Sequence, residues 1–204
     1  MSSSVNSPED LVNLALARIG FEKRIGSIYE GSKAAKLALT LYAQTRDELL
    51  RQFGWGFAER SVAPALLKQA PPGGYVPPTV WSSAYPVIPW KYEYAYPSDC
   101  LQVRSVRTAP VFLYDPDPQA EVFSVDNDYA LSPPQKVVLC NIANMILIYT
   151  GQITDPTTWE ADFIEAFAAA LGRRLAPALV GMDPAKMEAS DELASKDIAE
   201  SGEG

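Results

Sequence analysis

Proline is distributed very unevenly along this chain: thirteen of its seventeen prolines fall between residues 60 and 134. Each one fixes φ and removes a backbone donor, so no continuous helical bundle runs through that stretch. Eleven of the twenty-one aromatic residues lie in the same region. Trp90, Tyr92, Tyr94 and Tyr96 alternate with Lys91, Glu93 and Ala95, which predicts a strand with one aromatic face. Pro97-Ser98-Asp99 marks a turn, and Leu101 and Val103 alternate with Gln102 and Arg104 in a returning strand. Val111 to Tyr114, Glu121 to Val125, Lys136 to Cys140 and Met145 to Tyr149 read as further short strands. The segment from Pro71 to Pro78 reads as a rigid surface loop lying on the sheet, with a polyproline-type ligand as the alternative.

The flanks carry the opposite signal. Ser7 is placed to cap a helix, Pro8 suits its first position and Asp10 can complete a capping box. Leu11, Leu14, Ala15, Arg18 and Ile19 follow helical spacing, and Gly20-Phe21 has the form of a Schellman ending. Ser32 caps a second helix running to about Phe53, with Ala34, Ala38, Leu41, Thr45, Leu49 and Phe53 as its inner stripe and Asp47 and Arg51 as an i,i+4 pair. Asp155-Pro156 opens a third, whose Trp159, Phe163, Phe167, Ala170, Leu171 and Ala178 share a face. Ala166, Ala168 and Ala169 widen that face with small side chains, Pro177 predicts a kink at its end and Gly181 closes it. Asp183-Pro184 repeats the start signal, but the following segment has only Met187, Leu193 and Ile198 as large apolar residues. So polar a segment buries too little to stay folded alone: it reads as a helix completed by another chain, with a frayed tail as the alternative.

Several chemistries are excluded by composition. The chain has no histidine, which removes histidine triads, histidine-bearing zinc sites and the usual general base near neutral pH. Cys100 and Cys140 are the only cysteines and read as free buried thiols. The first ten residues lack the basic and apolar regions of a signal peptide. The longest apolar run, Val137 to Thr150, is too short and too polar to span a bilayer, so the chain is expected in a cytosol. Net charge is −8; residues 183–204 hold seven carboxylates against two lysines. Such a chain gains nothing from phosphate neutralisation, which leaves room only for passive contact with nucleic acid.

Carboxylate pairs are the remaining acid–base chemistry. Asp126 and Asp128 read as turn residues, Asp115 and Asp117 lie in a Pro-rich loop, and Asp99 belongs to a turn. A carboxylate pair beside aromatics would suit a glycosidase. There is no nucleophile elbow, P-loop or dinucleotide fingerprint, and Gly54-Trp55-Gly56 reads as a tight turn. The tyrosine row reads as core or interface, because the basic groove that would let it stack bases is missing. No catalytic, cofactor or metal residue is assigned.

Several short segments together resemble the head-to-tail adaptor proteins of tailed bacteriophages, of the tail tubular protein A type. They are Ala17-Arg18-Ile19-Gly20, Ile28-Tyr29-Glu30-Gly31-Ser32-Lys33-Ala34-Ala35, Tyr42, Arg46-Asp47-Glu48-Leu49-Leu50-Arg51 and Trp55-Gly56-Phe57-Ala58. Tyr94-Ala95-Tyr96-Pro97-Ser98-Asp99-Cys100-Leu101-Gln102-Val103, Tyr149-Thr150-Gly151, Asp155-Pro156 and the run from Phe163 to Ala176 follow in the family's order. Two features depart from it: the Pro-rich segment from Pro71 to Pro89 is long, and the last helix is acidic.

The resemblance implies an α+β fold, with a helical bundle formed by both chain ends, a β-rich domain inserted in the middle and an extended C-terminal helix. On this reading residues 1–58 and 154–182 form the helical domain, 59–153 the β-rich insert with a Pro-rich loop at 71–89, and 183–204 a portal-docking tail. The implied function is structural: a homo-oligomeric ring, commonly twelve-fold, joining the portal to the next tail component (nozzle or tail tube). Genomic DNA would pass through it without specific binding, and the protein would reside in the virion neck after assembly in the host cytoplasm. Heterologous contacts that close by rotation suit such a ring. The expected portal contacts are Met187, Leu193 and Ile198; the expected tail-facing residues are Tyr75, Trp81, Tyr85 and Trp90. A tail-associated carbohydrate-active hydrolase and a monomeric binding module are the alternatives.

Overall fold

The computed structural model describes residues 7–75, 78–108 and 120–181. Two compact units emerge, Met1–Phe57 with Ile153–Gly204, and Ala58–Gln152.

The first unit is built on three helices, α1 (Pro8–Arg18), α2 (Lys33–Gln52) and α3 (Ala161–Leu179), with α3 packed against both others. The local signals at α1 act as their chemistry dictates. Ser7 Oγ accepts the Asp10 amide at 3.1 Å, while Asp10 returns its carboxylate to the Ser7 hydroxyl rather than to the backbone. At the other end Phe21 N donates to Leu16 O (3.0 Å) and Gly20 N to Ala17 O (3.1 Å), with Gly20 at φ +71°. This is the Schellman pattern, and its left-handed residue is a glycine because a Cβ there would be strained.

The loop between α1 and α2 is held by side chains rather than by regular structure. Asn13 pairs with both backbone groups of Ile25, at 2.9 and 3.0 Å, and Glu30 accepts the Gly26 amide at 2.9 Å. Ser32 then caps α2 through the Ala35 amide. The buried face of α2 carries Ala34, Ala38, Tyr42, Thr45, Arg46 and Leu49; Leu41 is only half-buried and Phe53 is exposed. The expected stripe is therefore rotated towards Tyr42 and Arg46. The physical reason is an aromatic cluster: Tyr42 meets Phe167 edge-on at 4.9 Å, and Trp159 meets Phe163 and Phe167 at 4.8 and 5.2 Å. Each fully buried large apolar side chain here contributes about 1.5–3 kcal/mol.

Asp155-Pro156 does not begin α3. It caps a single 3-10 turn, Pro156–Thr158, with Asp155 accepting the Thr157 amide and hydroxyl. Trp159 then adopts an extended backbone and buries its ring, and α3 starts two residues later and runs on past Pro177.

The second unit contains β1 (Glu59–Val62), β2 (Leu66–Gln69), β3 (Tyr92–Ala95), β4 (Cys100–Thr108), β5 (Ala120–Glu121), β6 (Phe123–Asp128), β7 (Gln135–Cys140) and β8 (Met145–Gly151). They form two antiparallel sheets, ordered β1-β8-β4-β5 and β2-β3-β7-β6. Tyr94, Val138 and Cys140 from one sheet join Val106, Met145, Leu147 and Tyr149 from the other in a shared core. Tyr92 and Tyr96 pack at its margin. The chain crosses between sheets after β7, where Asn144 takes φ 54°. Tyr94 Oη secures this crossing: it donates to Ile142 O and accepts Asn144 N, both at 3.0 Å.

The architecture corrects the expected helical bundle with an inserted β domain. Among the described residues there are three helices, with α3 as the common partner, and two four-stranded antiparallel sheets that enclose a core of their own. The alternating stretches between residues 59 and 151 supply enough strands to close a two-sheet structure, so the β region is a principal part of the fold and not an appendage of a bundle. The extended C-terminal helix expected over 183–204, and the strand expected at Val111 to Tyr114, lie outside the described residues. Asp126 and Asp128, read as turn residues, belong to β6 and pair with β7. β1 and β2 were not anticipated; their residues are mostly exposed, so they lack the apolar alternation that marks a strand.

Candidate functional site: the Pro-rich loop and the sheet face beneath it

Two of the four residues expected to face the tail, Tyr75 and Trp81, meet at one backbone carbonyl. Pro86 is buried, and its oxygen accepts hydrogen bonds from Trp81 Nε1 (2.8 Å) and Tyr75 Oη (3.3 Å). Tyr75 and Tyr85 stack edge to face at 5.8 Å. Three of the four named residues are thus organised by the fold of the loop itself. Trp90 stands apart from the carbonyl, and with Tyr75, Ile88 and Tyr92 it lines a hollow of about 440 Å³. Cys100 and Cys140 are free thiols, and burial raises the pKa of both.

The loop leaves apolar side chains uncovered on its outer side. Val80 is 77% and Ile88 56% exposed, and Val87 and Trp81 are close to half exposed. Prolines and paired aromatics stiffen this segment, so the apolar atoms are displayed without the ordering cost of a flexible loop.

On its inner side the same loop covers the face of the β2-β3-β7-β6 sheet that points away from the core. Trp81, Tyr85 and Val87 roof a cavity of about 200 Å³ floored by Lys68, Glu93, Asp128 and Leu139. Glu93 sits opposite Lys68 and Leu139 in register. It is only 2% exposed. Lys68 Nζ lies 2.5 Å from Asp128 Oδ2 and 3.4 Å from Glu93 Oε1. One ammonium thus serves two buried carboxyls.

Burial pushes the Glu93 carboxyl above its ordinary range; Lys68 opposes the shift and Asp128 reinforces it. Burial acts on Asp128 in the same sense, but the Lys68 ammonium and the Ala130 amide outweigh it and hold Asp128 below its usual value. Lys68 is itself raised, since Asp128 and Glu93 more than offset the desolvation of its charge. The two carboxyls are thus shifted in opposite directions, and a proton resides on Glu93 more readily than on Asp128.

Sequence reasoning missed this cluster. Alternation with the tyrosines places Glu93 on the face expected to meet solvent, and only the fold of the loop over that face buries it. Met187, Leu193 and Ile198, the expected portal contacts, lie outside the described residues. Among those residues no helix is long and apolar enough to cross a membrane. Neither protein-family models nor curated protein sequences give a match to the chain.

Proposed function

We propose that this protein is a structural head-to-tail adaptor of a tailed bacteriophage: a ring subunit that joins the portal to the next tail component and forms part of the DNA conduit. The observation that carries this reading is the amount of large apolar surface each unit leaves in water. The helical unit exposes Tyr29 at 80% and Phe53 at 52%, and the β unit exposes the stiffened loop around Val80 and Ile88. Large apolar side chains held out in water along one stiffened loop suit a surface that another protein covers. Tyr29 belongs to the Ile28 to Ala35 segment that carries the family resemblance, and its backbone is fixed there by Ser27 and Glu30 rather than by its own side chain. The acidic balance of the chain suits a conduit that DNA slides through without being held.

The assignment of faces follows. The segment 183–204, with Met187, Leu193 and Ile198, meets the portal; the loop carrying Tyr75, Trp81, Tyr85 and Trp90 meets the tail. The deciding experiment measures mass in solution and particle shape by negative-stain microscopy, for the protein alone and mixed with its portal. A ring on the portal is expected, and removal of residues 183–204 should leave a folded subunit that no longer attaches. A subunit that stays solitary with portal present ends this reading.

A monomeric binding module is the second reading, and the roofed cavity over Glu93 is the observation that favours it. The hydrolase alternative needs two carboxyls about 5–9 Å apart with room for a sugar between them. The Lys68 ammonium contacts both Glu93 and Asp128, at 3.4 and 2.5 Å, and so takes up the space a sugar would need between them.

A further inference from the structure

The two sheets end on four strands whose outer edges meet no neighbouring strand among the described residues: β1 and β5 in one sheet, β2 and β6 in the other. Such edges present unpaired N–H and C=O groups to any strand brought alongside. They fall into two pairs, because β1 and β2 are joined by residues 63–65, and β5 and β6 by Val122 alone. Each side of the two-sheet unit therefore ends on one strand from each sheet. The apolar core runs out to both sides. Val62 lies opposite Leu147 and Leu66 opposite Tyr94, so both belong to the core face, yet they are 37% and 48% exposed. On the other side Val125 lies opposite Val138, again on the core face, and is 41% exposed, with Val122 beside it at 77%.

Edges meant to stay free usually carry lysine or proline. None of the four strands contains proline, and their one lysine, Lys68, turns its ammonium to Glu93 and Asp128. β6 keeps an unbroken register with β7 over all six residues. Charge decides which sides fit. β5 and β6 carry Glu121, Asp126 and Asp128 with no basic residue, whereas β1 and β2 carry Arg60 and Lys68 against Glu59. Two copies meeting through β5 and β6 would set the exposed Glu121 and Asp126 against their own duplicates, which is destabilising. The β1–β2 side of another copy instead offers Arg60, paired with Asp99 yet half exposed. Strand direction agrees. Every neighbouring pair is antiparallel and each sheet has four strands, so the first and last strands of a sheet run in opposite directions. A copy set alongside in the same orientation continues both sheets antiparallel, β5 next to β1 and β6 next to β2.

We infer, with the ring reading above as premise, that adjacent subunits join by strand addition: the β5–β6 side of one copy pairs with the β1–β2 side of the next. Main-chain hydrogen bonds across the new edge hold the two copies, and alternate side chains set the fit. Val122 and Val125 of one copy cover Val62 and Leu66 of the other, so one apolar core extends from subunit to subunit. The two sides differ, which makes the contact heterologous and able to repeat until the ring closes.

The test is sedimentation equilibrium of the full chain, at concentrations up to about 1 mM, for the parent, Leu66→Glu, Val125→Glu and an equal mixture of the two variants. The parent is expected to associate beyond a dimer. Each variant alone has one side blocked by a carboxylate that the contact would bury, and self-association should weaken at least tenfold. The mixture should give a dimer and nothing larger, because the intact β5–β6 side of Leu66→Glu meets the intact β1–β2 side of Val125→Glu. Circular dichroism checks folding, and Leu67→Glu or Val122→Glu, on neighbouring exposed side chains, replaces a variant that does not fold. A parent that stays monomeric, a single variant that dimerises or assembles like the parent, or a mixture that stays monomeric overturns the inference. Adding portal separates the two readings. A parent that associates through these edges but never seats on the portal keeps the pairing and ends the adaptor reading. Rings on the portal from a chain carrying both substitutions end the pairing and keep the adaptor.

Discussion

Gly172 of α3 lies so close to Ala15 of α1 that a Cβ built on the glycine would sit 3.1 Å from the Ala15 carbonyl oxygen and 3.2 Å from Ile19 Cγ2. The neighbour is backbone and cannot rotate away. Two helices meet here at a distance that only the absent side chain permits.

The expected outcome of Gly172→Val is a loss of about 1–3 kcal/mol from overpacking. Gly172→Ala should cost less, because a helix-propensity gain of up to about 1 kcal/mol offsets part of the clash. Urea unfolding of the three proteins checks both; a Val variant as stable as the parent contradicts the packing.

Arg174 joins α3 to α2 through Thr45 Oγ1 at 3.0 Å and Glu48 Oε2 at 2.6 Å. Glu48 is mostly exposed, so Glu48→Gln should change stability by less than about 1 kcal/mol. Arg174→Met should cost about 1 kcal/mol through the half-buried bond to Thr45. Thermal unfolding of the two variants should therefore rank them in that order.

Tyr94→Phe tests the crossing between the sheets. It removes the donor to Ile142 O and the acceptor for Asn144 N at a residue that is almost fully buried. A loss of about 1–3 kcal/mol is expected, together with faster amide exchange at Asn144. Unchanged exchange would show that the hydroxyl does not hold the turn.

Glu93 imposes a pH dependence whose sign is fixed by its burial. Its folded pKa lies above the ordinary 4.5, so the folded state binds the proton more tightly than the unfolded chain. That contribution is complete below about pH 4.5 and is lost as pH rises through the folded value. Over this window Glu93→Gln should lose less stability than the parent. Parallel profiles from urea unfolding at pH 4 to 8 would remove the assignment.

Val80→Asp addresses the outer side of the loop. The side chain is largely exposed, so the melting temperature should stay within a degree or two. On the proposed reading, attachment to the tail component weakens at least tenfold, since a carboxylate would be buried at the contact. Full attachment with the substitution present places the contact elsewhere.

Much of the local structure was legible because it depends on neighbours in sequence. Ser7, Gly20 and Ser32 act on backbone groups within four residues, and the Tyr92 to Tyr96 alternation specifies a strand and its core face without outside help. The start of α3 was misplaced because Asp155 caps equally well a 3-10 turn and a full helix; burial of Trp159 decides between them. β1 and β2 were missed because hydrogen bonding to β8 and β3, not side-chain pattern, holds them.

The amino-acid order alone determined both ends of α1 and the start of α2, which side of β3 enters the core, and that histidine-based chemistry is absent, since these follow from capping chemistry, spacing and composition. Only the tertiary structure decided that three helices and two sheets replace a bundle with an insert, and that Lys68, Glu93 and Asp128 share one roofed cavity. Those three residues lie on different strands, and what unites them is sheet register and a proline-stiffened loop folded over an outer face. Sequence periodicity marks that face as belonging to water; the loop across it removes the water and buries what would otherwise be ordinary surface charges.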